Sequence, residues 1–300
     1  MSYPIQYRPL LDIASDFKGI LLDAYGVFWM GNEAGLFPNA KNAMQALVDA
    51  GKVVGILSNA TRISSSEVSK LSRHGLYEGI HFHFLLTSGE LTRQHALTNN
   101  FPFPTSSGKY FVLGGPYPGR SIHHEIFENT PFTETSIISE AEFIYVSTPQ
   151  INGIDQIDVS VFEKPILECL ASKLPMLCAN PDLHAHEGSP PKAVVRQGSL
   201  AKRYRELDGS VYYIGKPFRQ AFSQAFDAFQ KYKIMSPQEI LMIGDTPETD
   251  IRGANQFGIS SALITRTGIM ADRIQEGRTI ENILCYQEDQ PHFFLEKFHL

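Results

Sequence analysis

An α/β fold built on a parallel sheet is predicted by two patterns in this 300-residue chain. Short apolar runs rich in Ile, Leu, Val and Tyr recur along it, and stretches with helical periodicity lie between several of them. That alternation packs helices against a sheet. Because the runs lack a polar partner at every second position, they suit strands covered on both faces.

The runs are Gly19–Asp23, Val53–Ser58, Tyr110–Leu113, Glu142–Val146, Met176–Ala179, Val211–Ile214, Ile240–Ile243 and Ser261–Ile264. Ala43, Met44, Leu47 and Val48 share one helical face, and Ala221, Phe222, Ala225, Phe226 and Phe229 share another, which predicts core contacts. Gly51, Gly75 and Gly258 each follow a helical stretch, where a left-handed closing residue is wanted. Two loop-rich stretches, Asn99–Gly119 and Asn180–Gly198, read as edges of an inserted domain. Gly114–Gly119 lacks the Gly-Lys-Ser/Thr ending of a phosphate loop and reads as a turn. The tail His292-Phe293-Phe294-Leu295 reads as a packed terminus.

Composition narrows the function. Hydrophobic residues make up 43% and charged ones 19%, as in ordinary globular proteins. Twenty-six Lys and Arg against 32 Asp and Glu leave a net charge of −6, so no nucleic-acid partner is expected. The three cysteines Cys169, Cys178 and Cys285 form no C-x-x-C pair, which suits a reducing compartment. The start of the chain lacks a signal-peptide layout, and no apolar run approaches the roughly 20 residues of a membrane span. A soluble cytoplasmic protein with no membrane partner is expected.

Chemistry concentrates where apolar runs end, the edge at which open parallel sheets place their ligands. Leu21-Leu22-Asp23-Ala24-Tyr25-Gly26 ends in a carboxylate that can attack an electrophile. Leu57-Ser58-Asn59-Ala60-Thr61-Arg62 offers a hydroxyl and backbone N–H groups to an anion at a helix start. Ile214-Gly215-Lys216-Pro217 offers an ammonium. Ile243-Gly244-Asp245-Thr246-Pro247-Glu248-Thr249-Asp250 carries two carboxylates that could hold a hard cation. A nucleophilic Asp, an anion-binding Ser, a Lys and an acidic metal pair, in that order, are the parts that phosphoryl transfer through an aspartyl phosphate requires.

In these four motifs the sequence resembles the haloacid dehalogenase (HAD) superfamily, and within it class IIA, the phosphatase-like hydrolases with a C2-type cap. Thr87-Ser88, Ala179-Asn180-Pro181-Asp182 and Gly198-Ser199-Leu200 extend the likeness. The resemblance implies a Rossmann-like, doubly wound core over 1–98 and 210–300, with an α/β cap over 99–209 inserted in it. It assigns Asp23 as nucleophile and Mg²⁺ ligand, the Tyr25 backbone carbonyl and Asp245 as further ligands, and Asp250 as support for the metal site. Ser58 and Asn59 would bind the phosphate, Lys216 would join it to Asp23, and Arg62 would reach the substrate. Asn180, Asp182, His184 and His186, on a cap loop over 180–187, would select the substrate. A small phosphorylated metabolite is the expected substrate, and a homodimer through the cap is compatible with the class.

One position departs from the pattern. Phosphatases of the superfamily carry a second Asp two residues after the nucleophile as general acid and base, and Tyr25 stands there. A phenol, with an ordinary pKa of about 10, is a poor base near neutral pH. Three readings follow. In the first, a Mg²⁺-dependent phosphatase replaces the missing acid with water, substrate or a cap group such as His184 or His186. In the second, Asp-Ala-Tyr-Gly marks a metal-independent 2-haloacid dehalogenase, against which Asp245 and Asp250 speak. In the third, the fold binds a phosphorylated ligand without turnover.

Overall fold

The computed structural model describes residues 6–115, 124–188 and 192–300. The start Met1–Ile5 and Pro116–Gly119 of the predicted turn lie outside them.

Six parallel strands form the core sheet, in the spatial order Phe84–Thr87, Val53–Ser58, Gly19–Leu22, Ile240–Gly244, Ser260–Ile264 and Phe293–Leu295. Numbered along the chain this is 3-2-1-4-5-6, the doubly wound Rossmann order, whose switch point lies between the first and fourth strands. All residues of Gly19–Leu22 and of Ile240–Gly244 are buried, as their unbroken apolar sequence requires. Leu22 pairs with Ile243, and the Asp23 N–H donates to the Ile243 carbonyl at 2.9 Å. The residues that follow both strands therefore emerge side by side at the switch point.

Helices cover the sheet with the faces their spacing predicts. Ala40–Asp49 buries Ala40, Ala43, Met44 and Leu47, and Arg219–Gln230 buries Ala221, Phe222, Ala225 and Phe229, whereas Phe226 is half-buried. Fully burying a side chain of the Leu or Phe kind contributes about 1.5–3 kcal/mol. Gly51, Gly75 and Gly258 take positive φ behind their helices.

A second parallel sheet, of five strands, lies in the order Val211–Tyr213, Met176–Cys178, Phe143–Val146, Lys109–Leu113 and Thr133–Glu134. Val211–Tyr213, which a division at 209/210 gives to the core, pairs with Met176–Cys178 and forms the edge of the cap sheet. The apolar run was a strand as expected, but nothing local in it specifies which sheet it joins. Phe84–Thr87, which ends at the Thr87-Ser88 of the family likeness, is one core edge strand, and Phe293–Leu295, in the tail read as a packed terminus, is the opposite edge.

Cap and core share one apolar cluster that includes Leu21 and Leu57 from the core and Tyr110, Phe143 and Leu177 from the cap. Arg93, on the core helix Ser88–Leu97, donates to the carbonyls of Glu125, Ile126 and Glu128 at the end of the cap helix His124–Phe127. The cap's entry segment is fixed by Glu142, whose carboxylate accepts from Ser106 N and Oγ, Ser107 N and Gly108 N at 2.6–2.9 Å. Burial raises the pKa of this carboxyl, yet the four hydrogen bonds outweigh it and hold the group down to about 2. The contribution to stability is thus complete above the ordinary value of 4.5 and fades as pH falls towards 2. Glu142→Ala is expected to lower the melting temperature by about 2–6 °C at pH 7, a deficit that shrinks progressively below pH 4.5, as thermal melts would record.

Candidate functional site

Each sequence-predicted strand-end residue arrives at one place for a local reason. Asp23 leaves its strand beside the switch point and is buried. Asp245 follows Gly244 on the neighbouring strand and turns back into the site, where its Oδ2 accepts from the Ile269 N–H at 2.6 Å, at the start of helix Gly268–Gln275. Gly26 and Gly268, at φ 82 and 65, press against that carboxylate from two sides, and a side chain at either would collide with it. Asp250 is carried round by the wide π-helical turn Pro247–Ile251, so that its Oδ2 accepts from Asp245 N at 3.2 Å and Thr246 N at 3.1 Å. Such turns are frequent at functional sites.

Lys216 joins the set from the segment that returns from the cap. Its Nζ lies 2.5 Å from Asp23 Oδ1 and 2.7 Å from Asp250 Oδ1, with only 1% of the residue exposed. Asn59 grips the backbone around it: Oδ1 accepts from Lys216 N at 2.8 Å, and Nδ2 donates to the Lys216 carbonyl at 3.1 Å. Burial pulls the lysine pKa down, but Asp23, Asp250 and Asp182 outweigh it and keep the ammonium charged. Burial pushes the Asp23 carboxyl up, partly opposed by Lys216 and reinforced by Asp250 and Asp182. Asp245 is raised by burial and by Asp23 and Asp250.

Three buried carboxylates against one ammonium leave excess negative charge in a low-dielectric place, a situation that a cation relieves. Asp23, Asp245 and Asp250 each present an oxygen within 4.8 Å of the others, and oxygen donors of this kind suit Mg²⁺ or another hard cation. The donor set fits the expected metal. Asp250, already held by Lys216 and two N–H groups, is better placed to position than to ligate.

A cavity of about 290 Å³ opens above this floor and brings together Asp23, Tyr25, Ser58, Asn59, Arg62, Asn180, Asp182, His184, His186, Lys216 and Asp245. Several of them are already engaged. Arg62 pairs with Glu125 of the cap at 3.2 Å, and His186 Nε2 lies 2.5 Å from Asp272 Oδ2. Asn180 donates to Gln197 at 3.2 Å and accepts from Asp182 N at 3.0 Å, so it shapes its loop. The Ser58 hydroxyl accepts from Ala60 N at 3.2 Å. Cys178, beside this loop, is buried, donates to the Asn180 carbonyl at 3.2 Å and is pushed up to about 12 by burial.

Tyr25 is an anchor for the roof. Its hydroxyl donates to Asn32 Oδ1 at 3.2 Å and receives from Lys70 Nζ at 3.5 Å, and Lys70 is ion-paired with Glu67. Burial, with Glu67 and Glu187, raises the phenol well above its ordinary value. Asn32 in turn donates to Glu187 from both its side chain, at 3.0 Å, and its backbone, at 3.3 Å. Arg196 then bridges Glu187 at 2.9 Å and Asp155 at 2.8 Å. This chain joins the core hairpin Trp29–Gly31/Gly35–Leu36 to the cap hairpin His184–Glu187/Lys192–Val195. Sequence reasoning missed Asn32, Arg196 and Asp155, because none sits in a motif and their partners are remote in sequence. Asn32→Ala is expected to open the roof: amide exchange at Lys192–Val195 should quicken by about tenfold or more, measured by hydrogen–deuterium exchange.

Comparison with known proteins accords with the geometry. A family profile described as "Haloacid dehalogenase-like hydrolase" matches residues 20–125, and one described as HAD-hydrolase-like matches residues 213–296. Chronophin of Bos taurus is 25% identical over 299 residues, covering 96% of this chain and 93% of its own. A haloacid dehalogenase-like hydrolase from Brucella suis superposes with a TM-score of 0.78 at 22% identity, covering 98% of this chain and 99% of the other. Glycerol phosphate phosphatase from Mycobacterium tuberculosis, in complex with magnesium, superposes with a TM-score of 0.64 at 15% identity, over 95% of this chain and 76% of the other. No helix among the described residues is long and apolar enough to cross a membrane.

Proposed function

The chain belongs to the haloacid dehalogenase-like hydrolases, as a hydrolase of the phosphatase type, and from that premise we propose that it cleaves the phosphate ester of a small metabolite through an aspartyl phosphate on Asp23, with Mg²⁺ as cofactor. The observation that carries this reading is the buried cluster of Asp23, Lys216 and Asp250 facing Asp245 at the floor of one cavity. The magnesium held by the Mycobacterium tuberculosis neighbour supports the choice of cation.

In this reading Asp23 Oδ attacks phosphorus in line and the ester oxygen leaves towards the cap. Lys216 holds the attacking carboxylate at a fixed angle and sets a positive charge beside the phosphoryl oxygens. Asp23, Asp245 and the Tyr25 carbonyl would hold Mg²⁺, with Asp250 in support, and the ion would neutralise charge on the transferring group. Ser58 and the backbone after it would take phosphate oxygens, with Asn59 positioning Lys216 and Arg62 at the mouth. Asn180, Asp182, His184 and His186 would wall the leaving group. A dehalogenase working without metal would have no use for the three converging carboxylates.

Phosphate release from a panel of phosphorylated metabolites, with Mg²⁺ and with EDTA, tests the reading. Asp23→Asn is expected to reduce release by about 10³-fold or more while the protein stays folded, as its circular dichroism spectrum would record. Full activity in that variant, or halide release from 2-chloropropionate in EDTA, would reject it. Ligand-induced stabilisation with neither activity would instead favour a binding protein. The same reading includes a homodimer through the cap, whose surface exposes Ile151, Ile154, Ile157, Val161 and Leu167. Sedimentation at micromolar concentration should then report twice the 33.5 kDa chain mass.

A further inference from the structure

The proposed hydrolysis needs a proton for the departing alkoxide, and Tyr25 stands where related phosphatases keep their acid. The cavity wall shows which other side chain is free to supply it. The Tyr25 hydroxyl already donates to Asn32, and its raised pKa makes it a weaker acid than ordinary phenol. Glu67 is ion-paired with Lys70. Glu187 is saturated by Asn32 and Arg196, and Asp155 is held through Oδ1 by the Arg196 guanidinium and by Gln150. His186 is bound to Asp272. His184 is pushed towards the neutral ring by burial and by Arg273, partly opposed by Glu276, which makes it a less ready proton carrier than an ordinary imidazole.

Asp182 differs from these carboxylates in that no described cationic side chain forms an ion pair with it. It sits on the cap loop in the same cavity as Asp23 and is fixed on one side only: Oδ1 accepts from Asn59 Nδ2 at 2.8 Å. Its second oxygen takes no hydrogen bond from a described residue. The same Asn59 Nδ2 also donates to the Lys216 carbonyl, and Lys216 Nζ touches Asp23, so one amide ties the Asp182 carboxyl to the nucleophile's own support. Burial is the main reason that this carboxyl rises to about 6, the range in which a carboxyl can both give and take a proton near neutrality.

We propose that Asp182, delivered by the cap, is the general acid and base of this chain, a role that rests on the phosphatase reading above. In the first step, the Asp23 oxygen–phosphorus bond forms as the ester oxygen–phosphorus bond breaks, and the Asp182 carboxyl protonates the leaving oxygen. In the second, the Asp182 carboxylate takes a proton from water as that water's oxygen attacks phosphorus. The bond from phosphorus to Asp23 breaks, which returns the Asp23 carboxylate and leaves Asp182 protonated, ready for another cycle.

The test compares esters that differ in their need for a proton. In Asp182→Asn, kcat on glycerol 3-phosphate is expected to fall by about 10²–10⁴-fold, while kcat on 4-nitrophenyl phosphate, whose leaving group departs unassisted, changes by less than about tenfold. Asp182→Glu should recover part of the loss on the alkyl ester. Equal losses on both esters in both variants would make Asp182 structural and overturn the proposal. So would an undiminished alkyl rate, or a split that appears in His184→Ala instead. If the unmodified protein turns over neither ester nor any other phosphorylated metabolite, the phosphatase reading falls and this role with it. An equal loss in the variants removes only the role of Asp182.

Discussion

A lysine ammonium almost wholly removed from water, between the carboxylates of Asp23 and Asp250, is the constraint around which the rest of the molecule is arranged. An isolated charge in such a place costs several kcal/mol even after relaxation, and removing one partner of a buried pair is strongly destabilising. The fold accordingly over-determines the position. Asn59 clamps the peptide groups on both sides of Lys216, and Gly215, at φ 123, lets the chain pass where a side chain would strike Asn59 Oδ1. Asp250 is fixed in turn by two backbone N–H groups from the turn it closes. The arrangement is imbalanced, with more carboxylate than ammonium, and that imbalance makes the floor of the cavity receptive to a cation.

The roof is built on a different physical basis. Contact between the two hairpins is polar, running from Tyr25 through Asn32 and Glu187 to Arg196 and Asp155, whereas the rear of the cap shares an aromatic and aliphatic cluster with the core. Apolar burial makes the rear attachment continuous with the core. Polar groups at the mouth can exchange their partners for water when the hairpins part, which apolar groups cannot. Opening at the mouth while the rear stays packed is the motion this asymmetry favours.

What could be read from the sequence was local. Asp23, Ser58, Lys216 and Asp245 each end or follow an apolar run; three of those runs lie side by side in the core sheet, whereas the run before Lys216 belongs to the cap sheet and brings its lysine to Asp23 from there. Where the pairing is non-local, the residues carry no such mark. Asn32 and Glu187 are 155 positions apart, and nothing in the turn that holds the one or the cap loop that ends at the other marks them as partners. Val211–Tyr213 was legible as a strand, yet its choice of sheet depends on Met176–Cys178 offering an edge. Phe293–Leu295 is only three residues long and shows no alternation, so its role as the outer core strand emerges only from pairing with Ser260–Ile264. Tyr25 was recognisable as a departure, but the partners that occupy its hydroxyl were not.

The edge strand Val211–Tyr213 ends only two residues before Gly215 and three before Lys216. The last rung of the cap sheet is thus spliced almost directly onto the lysine that pairs with Asp23. Grafting a foreign lid onto this scaffold, by nature or by an engineer, cannot treat the lid as a cassette bounded by residue 209: the junction must preserve that rung, or else rebuild the lysine's footing along with it.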